Sequence, residues 1–329
     1  MSTITGVSYL DFASRMDPDN KIRAIIELLA QTNEILEDMV VVEGNLPTGH
    51  KTTVRTGLPT VTWRLLNYGV QPSKSTTAQI TDSCGMLEAY AEVDKDLAEL
   101  NGNTAAWRLS EDRAHLEAMN QAMATTLFYG STLTYPERFT GLAPRYVALG
   151  TDPDVSTYNC VNGYSSASGA DQTSMWLVVW GENTVHGIYP KGSEGGFKHQ
   201  DLGEVTLLDA ANGRYQGYRT HYQWKLGLVV RDWRYCVRVC NIDTSAITTS
   251  VVNLLDAMTI AYDRVPSYGM GRAAFYCHPE VRTWLWRQAA AKSNVNLYID
   301  QPAGKPVLNF LGVPVRRCRA LVKTESVIT

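Results

Sequence analysis

The residues able to do chemistry in this chain are best judged by their spacing. Val40-Val41-Val42-Glu43-Gly44-Asn45-Leu46-Pro47-Thr48-Gly49-His50-Lys51-Thr52 resembles a strand followed by a phosphate-binding loop. Such a loop needs Gly, four residues, then Gly-Lys-Ser/Thr, with a helix directly behind it. Here His50 is inserted, and Thr53-Val54-Arg55-Thr56-Gly57-Leu58-Pro59 will not start a helix whose N-terminus could face a phosphate. Gly269-Met270-Gly271-Arg272-Ala273-Ala274 fits the loose dinucleotide pattern. It precedes a strand-like run at 273–277, so a tight turn explains it better.

The six cysteines (Cys84, Cys160, Cys236, Cys240, Cys277, Cys318) are too few and too scattered for a disulfide framework. Reduced, mostly buried thiols are expected. Cys236 and Cys240 on one strand would stand ~13 Å apart, too far for a shared zinc ion or a mutual disulfide. His278 follows Cys277 and precedes Pro279, which reads as the end of a strand before a helix. The six histidines form no pair at ligand spacing, and no Gly-x-Ser-x-Gly elbow occurs. Paired catalytic carboxylates are assembled in three dimensions and leave no sequence mark. The expectation is a chain with no catalytic residues, no metal and no cofactor.

One region could bind single-stranded nucleic acid. Tyr222, Trp224, Trp233 and Tyr235 lie near Arg219, Lys225, Arg231, Arg234 and Arg238, and aromatic platforms beside cations can stack bases. Alternation along each strand places most of the aromatics on one face and the cations mainly on the other, which favours core packing. The charge balance agrees. With 30 Lys plus Arg against 33 Asp plus Glu, the formal net charge is −3, which excludes a strongly basic nucleic-acid coat. Hydrophobic residues at 44% and charged residues at 19% mark a globular chain. The start carries no basic end followed by an apolar stretch, and no apolar run approaches the ~20 residues that span a bilayer.

The elements that would position these residues follow from periodicity. Asp17-Pro18 opens a helix on which Ile22, Ile25, Ile26, Leu29 and Leu36 recur at helical spacing, after an irregular leader. Residues 44–81 contain no Asp or Glu, yet carry Lys51, Arg55, Arg64 and Lys74. Threonines, three prolines and several glycines, with strand propensity at Val61-Thr62-Trp63-Arg64-Leu65, predict a long two-stranded excursion. It reads either as a free surface loop or as an arm lying on another chain. After a strand-like stretch at 86–97, Ser110 caps a helix over 110–129 whose Leu109, Leu116, Met119, Met123 and Leu127 share a face, with Gly130 as its stop.

From about 158 the chain turns β-rich. Alternation predicts half-buried strands at 218–226 and 233–240. Helices are expected at about 250–262 and 279–292, and a strand, turn and strand at 308–315. The order of elements argues for an α+β fold.

These parts, with no catalytic constellation among them, resemble the major capsid protein of tailed, short-tailed podovirus-like bacteriophages, the HK97-type shell subunit. The likeness rests on Arg55-Thr56-Gly57-Leu58-Pro59-Thr60-Val61-Thr62-Trp63-Arg64-Leu65-Leu66-Asn67, Cys84-Gly85-Met86-Leu87-Glu88-Ala89-Tyr90 and Val93-Asp94-Lys95. It continues in Ala118-Met119-Asn120-Gln121-Ala122-Met123, Leu127-Phe128-Tyr129-Gly130 and Pro136-Glu137-Arg138-Phe139-Thr140-Gly141-Leu142. It spans about residues 20–150. Beyond that it is architectural, and Phe310-Leu311-Gly312-Val313-Pro314-Val315 is similar to a common final strand of such subunits.

The resemblance implies an N-terminal arm and helix at 1–43, an extended β loop at 44–81 and a peripheral domain at 82–157 with spine helix 110–129. It also implies a mainly axial domain at 158–303, and C-terminal strands at 304–329 returning to the peripheral domain. Copies would join as pentamers and hexamers of an icosahedral shell around double-stranded DNA, contacted non-specifically. Lys51, Arg55, Trp63, Arg64 and Lys74 of the loop would touch neighbours. So would Ile22, Ile26, Glu34 and Asp38 of the arm, while Leu116, Met119, Met123 and Leu127 pack the spine.

Portal, scaffold and a cement or decoration protein would be partners, a membrane would not, and assembly would occur in the bacterial cytoplasm. The short leader implies a separate scaffold or none. Lys51 or Lys74 could serve a covalent link to a neighbour, with non-covalent clamping preferred. Residues 1–48 hold eight acids against three bases, a complement to the cationic loop. A non-viral encapsulating shell of the same fold and a β-rich single-stranded nucleic-acid binder stay open as alternatives.

Overall fold

The computed structural model describes residues 33–100, 104–163, 171–209, 211–245, 247, 254–290, 297–300 and 306–329. The leader and the helix expected from Asp17, with Ile22 and Ile26, lie outside these residues. The described helices are α1 (Ile35–Asp38), α2 (Lys95–Glu99), α3 (Thr104–Tyr129), α4 (Leu254–Asp263) and α5 (Pro279–Ala290). The strands are β1 (Val41–Glu43), β2 (Gly49–Gly57), β3 (Thr76–Asp94), β4 (Cys160–Asn162), β5 (Gln172–Trp180), β6 (Val185–Tyr189), β7 (Gly196–Leu208), β8 (Arg214–Val230), β9 (Cys236–Asp243), β10 (Arg272–Cys277), β11 (Leu297–Asp300), β12 (Val307–Phe310) and β13 (Val313–Arg317). Hydrogen bonds join them in the order β11-β12-β13-β10-β5-β6-β8-β3-β2. β9 also pairs with β5, β4 with β9, β1 with β6 and β7 with β8. Helices and a large mixed sheet make the α+β fold expected.

β5 is the centre of the molecule, and all nine of its residues are buried. Met175, Leu177 and Val179 point to one face, where α4 and α5 supply Leu254, Met258, Val281 and Leu285. Trp176, Val178 and Trp180 point to the other, against Met123, Leu127 and Phe128 of α3. A strand covered twice needs apolar residues on both faces, which is why its sequence is a continuous run. β9 is covered in the same way, with all eight residues buried. The half-buried strand predicted at 233–240 is therefore corrected: Trp233–Tyr235 is a short 3₁₀ turn and only then does β9 begin. The Asp232 carboxylate accepts from Arg234 N–H at 3.1 Å, bending the chain as an Asx turn does.

The spine helix α3 begins at Thr104, one and a half turns before Ser110. Trp107, fully buried against Val93, Leu97 and Ala98, anchors this added stretch. At 26 residues the helix is about 39 Å long. Met119 packs on Ala91 and Tyr222, whereas Leu109 and Leu116 are 51% and 37% exposed and join none of the apolar clusters. Periodicity finds a face but not whether a neighbour reaches it. Gly130 is not a left-handed cap, since its φ is not positive. A Cβ there would meet Phe139 O at 2.4 Å and Thr126 O at 2.6 Å, so the glycine admits a returning chain. That chain satisfies the helix end: Leu142 N–H donates to Leu127 O at 2.9 Å.

The C-terminal segment locks these layers together. Arg238 lies on β9 with its side chain 6% exposed, and it donates to Glu325 Oε2 at 2.8 Å, Tyr146 O at 2.8 Å and Ser174 Oγ at 3.0 Å. Glu325 also accepts from Tyr129 Oη at 2.5 Å and from Ser174 Oγ. Spine helix, β5, β9 and tail thus meet at one carboxylate. Asn241 continues the clamp, donating to Ile328 O and accepting from Ile328 N–H, both at 2.8 Å. Between β12 and β13, Leu311 (φ 49°) and Gly312 (φ 85°) form the two-residue turn with positive φ at both positions that matches strand twist.

Where β2 and β3 leave the body, His50 and His186 meet edge-on at 5.8 Å. Burial lowers both from the ordinary 6.5, with Arg231 adding to the effect on each and His50 adding on His186. Asp82 and Glu182 oppose it. Asp82 itself is buried and accepts from Arg145 at 2.7 Å.

Three expected outcomes follow from this packing. Glu325→Ala leaves a buried guanidinium unpaired and is predicted to cost about 3–5 kcal/mol in denaturant unfolding; a loss under ~1 kcal/mol would contradict the clamp. Gly312→Ala meets no atom within 4 Å, so its predicted loss of about 1–2 kcal/mol is backbone strain alone. Wild-type thermal stability is the check, and an unchanged melt would refute it. The histidine pair titrates lower in the folded chain, so the unfolded chain takes up protons first. Its stabilisation is full above about pH 6.5 and declines as the pH falls toward the lowered folded values. A His50→Gln, His186→Gln variant is predicted to show a flatter stability profile there than wild type; equal slopes would sink the point.

Candidate intersubunit interface

The ribbon is built from side chains suited to a pleated strand and poor in acids. β2 and β3 pair antiparallel from Gly49↔Ser83 out to Arg55↔Thr77, with an irregularity before Gly57↔Thr76. β3 then runs on into the body and pairs with β8 from Cys84↔Gly227 to Asp94↔Gly217. One 19-residue strand therefore serves as both core and arm. At the root, Cys84 N–H donates to Thr48 O at 2.9 Å.

Residues 58–75 form the tip and contain no strand. This corrects the strand propensity seen at Val61–Leu65 in the sequence. Pro59 has no N–H to give a ladder, and no partner strand stands opposite, so β-branched side chains alone do not order it. The tip is closed instead by Ser73 Oγ donating to Thr60 O at 2.7 Å and turned by Asn67 at φ 68°.

Its apolar residues face outward. Trp63 is 102% exposed, Val61 92% and Leu66 85%, and Leu58, Leu65, Tyr68 and Val70 are exposed as well. Contiguous apolar exposure on this scale marks an interaction surface. Lys51, Arg55, Arg64 and Lys74 are exposed, and among the described residues no ion pair holds them. The tip therefore combines unburied apolar area with uncompensated positive charge. Sequence reasoning named Trp63 and the four cations. It passed over Leu58, Leu65, Leu66, Tyr68 and Val70, whose signal was an apolar run free of acids.

Glu34 and Asp38 are engaged inside the chain. Arg316 donates to Glu34 Oε2 at 3.1 Å and to Asp38 Oδ1 at 3.2 Å, and Tyr276 Oη donates to Asp38 at 2.9 Å. Asn33 receives Ala320 N–H at 3.1 Å beside them. The described end of the N-terminal arm is thus tied to β13 and the tail. Met119, Met123 and Leu127 are buried under the spine, and Leu116 lies partly in the open.

The aromatic and basic strand is not a base-stacking platform. Along β3 and β8, Leu87↔Trp224, Ala89↔Tyr222 and Val93↔Tyr218 face α3, and Tyr222 is 2% exposed. The opposite face is a cross-strand polar ladder. Arg219 pairs with Glu92 at 2.6 Å, His221 lies 3.6 Å from Glu88 and stacks on Tyr90 at 4.6 Å. On that face Arg219 and His221 each lie beside a carboxylate and Lys225 stands opposite Met86, while on the helix face Tyr222 is buried and Tyr218 and Trp224 are half-buried. The thiols are similarly inert: burial raises Cys160 to about 11 and Cys236, Cys240 and Cys318 to about 12.

Comparison with known proteins places this geometry. The family model "Major capsid protein GP7" matches residues 17–329. A chain from the cryo-EM structure of bacteriophage Epsilon15 is 35% identical, covering 100% of this chain and 99% of that one, at a TM-score of 0.80. The bacteriophage JBD30 capsid, at 12% identity, covers 89% of this chain and 92% of that one with a TM-score of 0.50, a likeness of fold alone. No curated protein matches the sequence. The family is one of structural shell subunits and not a class of enzymes, and the fold is that of HK97-like phage capsids. With a core covered on two faces, a long spine and an arm whose tip the described residues leave exposed, the chain belongs to the phage major capsid protein GP7 family.

Proposed function

We propose that this subunit assembles into pentamers and hexamers of an icosahedral phage shell enclosing double-stranded DNA, with the ribbon tip clamping a neighbouring copy. The observation that carries the reading is Trp63, wholly exposed at the end of an arm whose other large apolar residues are also uncovered. Burying that surface on a neighbour would contribute ~25 cal/mol per Å² of apolar area, with no loss of contacts inside the donor chain. Arg55, Arg64 and Lys74 would pair with carboxylates of the adjacent chain. Those partners are other than Glu34 and Asp38, whose oxygens already serve Arg316. Ile22 and Ile26 would add contacts from the arm.

In this reading the axial domain holds the β5-centred sheet with α4 and α5. The β7–β8 hairpin, though it lies within 158–303, pairs with β3 and so goes with the spine in the peripheral domain. Portal, scaffold and a cement protein would join during assembly in the bacterial cytoplasm, and the clamping is non-covalent. Packaged DNA is held loosely, as a net charge of −3 favours.

The test is an Arg55→Glu, Arg64→Glu variant together with Trp63→Ala. Because these side chains make no ion pair or core contact among the described residues, unfolding of the isolated subunit is predicted to stay within ~0.5 kcal/mol of wild type. Closed particles seen by electron microscopy should fall at least about tenfold, the equivalent of ~1.4 kcal/mol per contact. Shells formed at wild-type yield by both variants would end the clamp.

A further inference from the structure

The described chain enters beside an apolar cavity. Asn33 pairs with Cys318 across a single bridge, and its Oδ1 accepts Ala320 N–H at 3.1 Å. Ala320 lines a cavity of about 640 Å³ between the spine helix, β3 and the tail, with Met86, Leu87, Met123, Phe139 and Val322 around it. Met86 is 59% exposed and Val322 41%, so the apolar wall reaches the surface. Ile35 and Leu36, just after Asn33, already pack in the cluster that holds Met123, Phe139 and Ala320.

What precedes Asn33 has the pattern to fill this space. On the helix expected from Asp17, at ~100° per residue, Ile25, Leu28 and Leu29 form one flank and Ile22 and Ile26 the other. Together they cover an arc of ~160°, wider than the ~100° stripe that burial against one surface uses. Such a helix calls for two covers, and one lies within reach. Leu29 stands four residues before Asn33 and Ile25 eight, about 6 and 12 Å along a helix. So short a tether gives an effective concentration on the order of mM, which favours the chain's own segment over that of a separate subunit in dilute solution. Asn33 Nδ2 is buried and, among the described residues, has no hydrogen-bond partner. The last carbonyls of a helix ending just before it lack internal partners, and an amide N–H is the donor they need.

We propose that this cavity is the seat of the chain's own N-terminal segment, with Ile25, Leu28 and Leu29 packed against Met86, Leu87 and Val322, and Ile22 and Ile26 left on the outward flank. The seat needs neither the ribbon nor a closed shell, so it stands apart from the clamp reading.

The test is cross-linking of the full-length chain as a dilute subunit. Ile25→Cys is combined with Ala122→Cys on the cavity wall. Glu27→Cys, on the opposite side of the helix, is combined with the same partner as the control for tethering alone. Under oxidised glutathione the first pair is expected to join at least about tenfold faster than the second. Peptide mass identifies the link and separates it from the six native thiols. Met86→Asp, at an exposed wall position, should slow the first pair by about tenfold or more without altering urea unfolding. Met86→Leu should keep the fast rate, separating lost apolar contact from lost folding.

Mixing isotopically labelled with unlabelled chains shows whose segment is seated, and links within one chain are expected. Equal rates for the two pairs, no link from Ile25→Cys, links mainly between labelled and unlabelled chains, or no effect of Met86→Asp would each overturn the seat.

Discussion

A strand that is apolar on both faces has to be covered twice, and β5 imposes that demand on the whole subunit. One cover is α4 and α5 with the C-terminal hairpin, the other the spine helix and the returning chain at 139–146. Neither cover is contiguous in sequence with the strand. The fold is therefore held by long-range contacts. Arg238 sharpens the constraint. A guanidinium on a strand buried on both sides must find a carboxylate there, and the tail brings Glu325 to it along with Tyr129 and Ser174.

The ribbon obeys the opposite rule. β3 is half inside this body, pairing with β8, and half outside, pairing only with β2. A two-stranded ribbon with no third layer has little stability of its own, and here it is anchored at its root by Asp82 and Arg145. Its tip carries the side chains that would normally build a core, yet none of the described residues covers them. A rigid base and an exposed apolar end are what the proposed clamp on a neighbouring copy rests on.

The same chemistry took different roles in different places. Arg219 on the β8 ladder is paired across the sheet with Glu92, whereas Arg55 and Arg64 of the ribbon have no ion-pair partner among the described residues. Composition treats all of them alike. Only their neighbours distinguish a paired cation from an unpaired one.

The α+β class, the two-stranded excursion, the strand at 218–226, the spine and the helices near 254 and 279 were readable in the sequence. Each is either amphipathic or uniformly apolar over a length that periodicity can register. The apolar cations-and-tryptophan ribbon was readable too, because a stretch without acids stands out in a nearly neutral chain. What the tertiary structure alone decided is burial. It showed that β9 is covered on both sides, that Leu116 is left partly open, that Gly130 is required for close approach and not for its φ, and that Glu34 and Asp38 are spent on Arg316. Those facts depend on segments far apart in the chain meeting at one point, and a local pattern of residue types carries no record of which distant partner arrives.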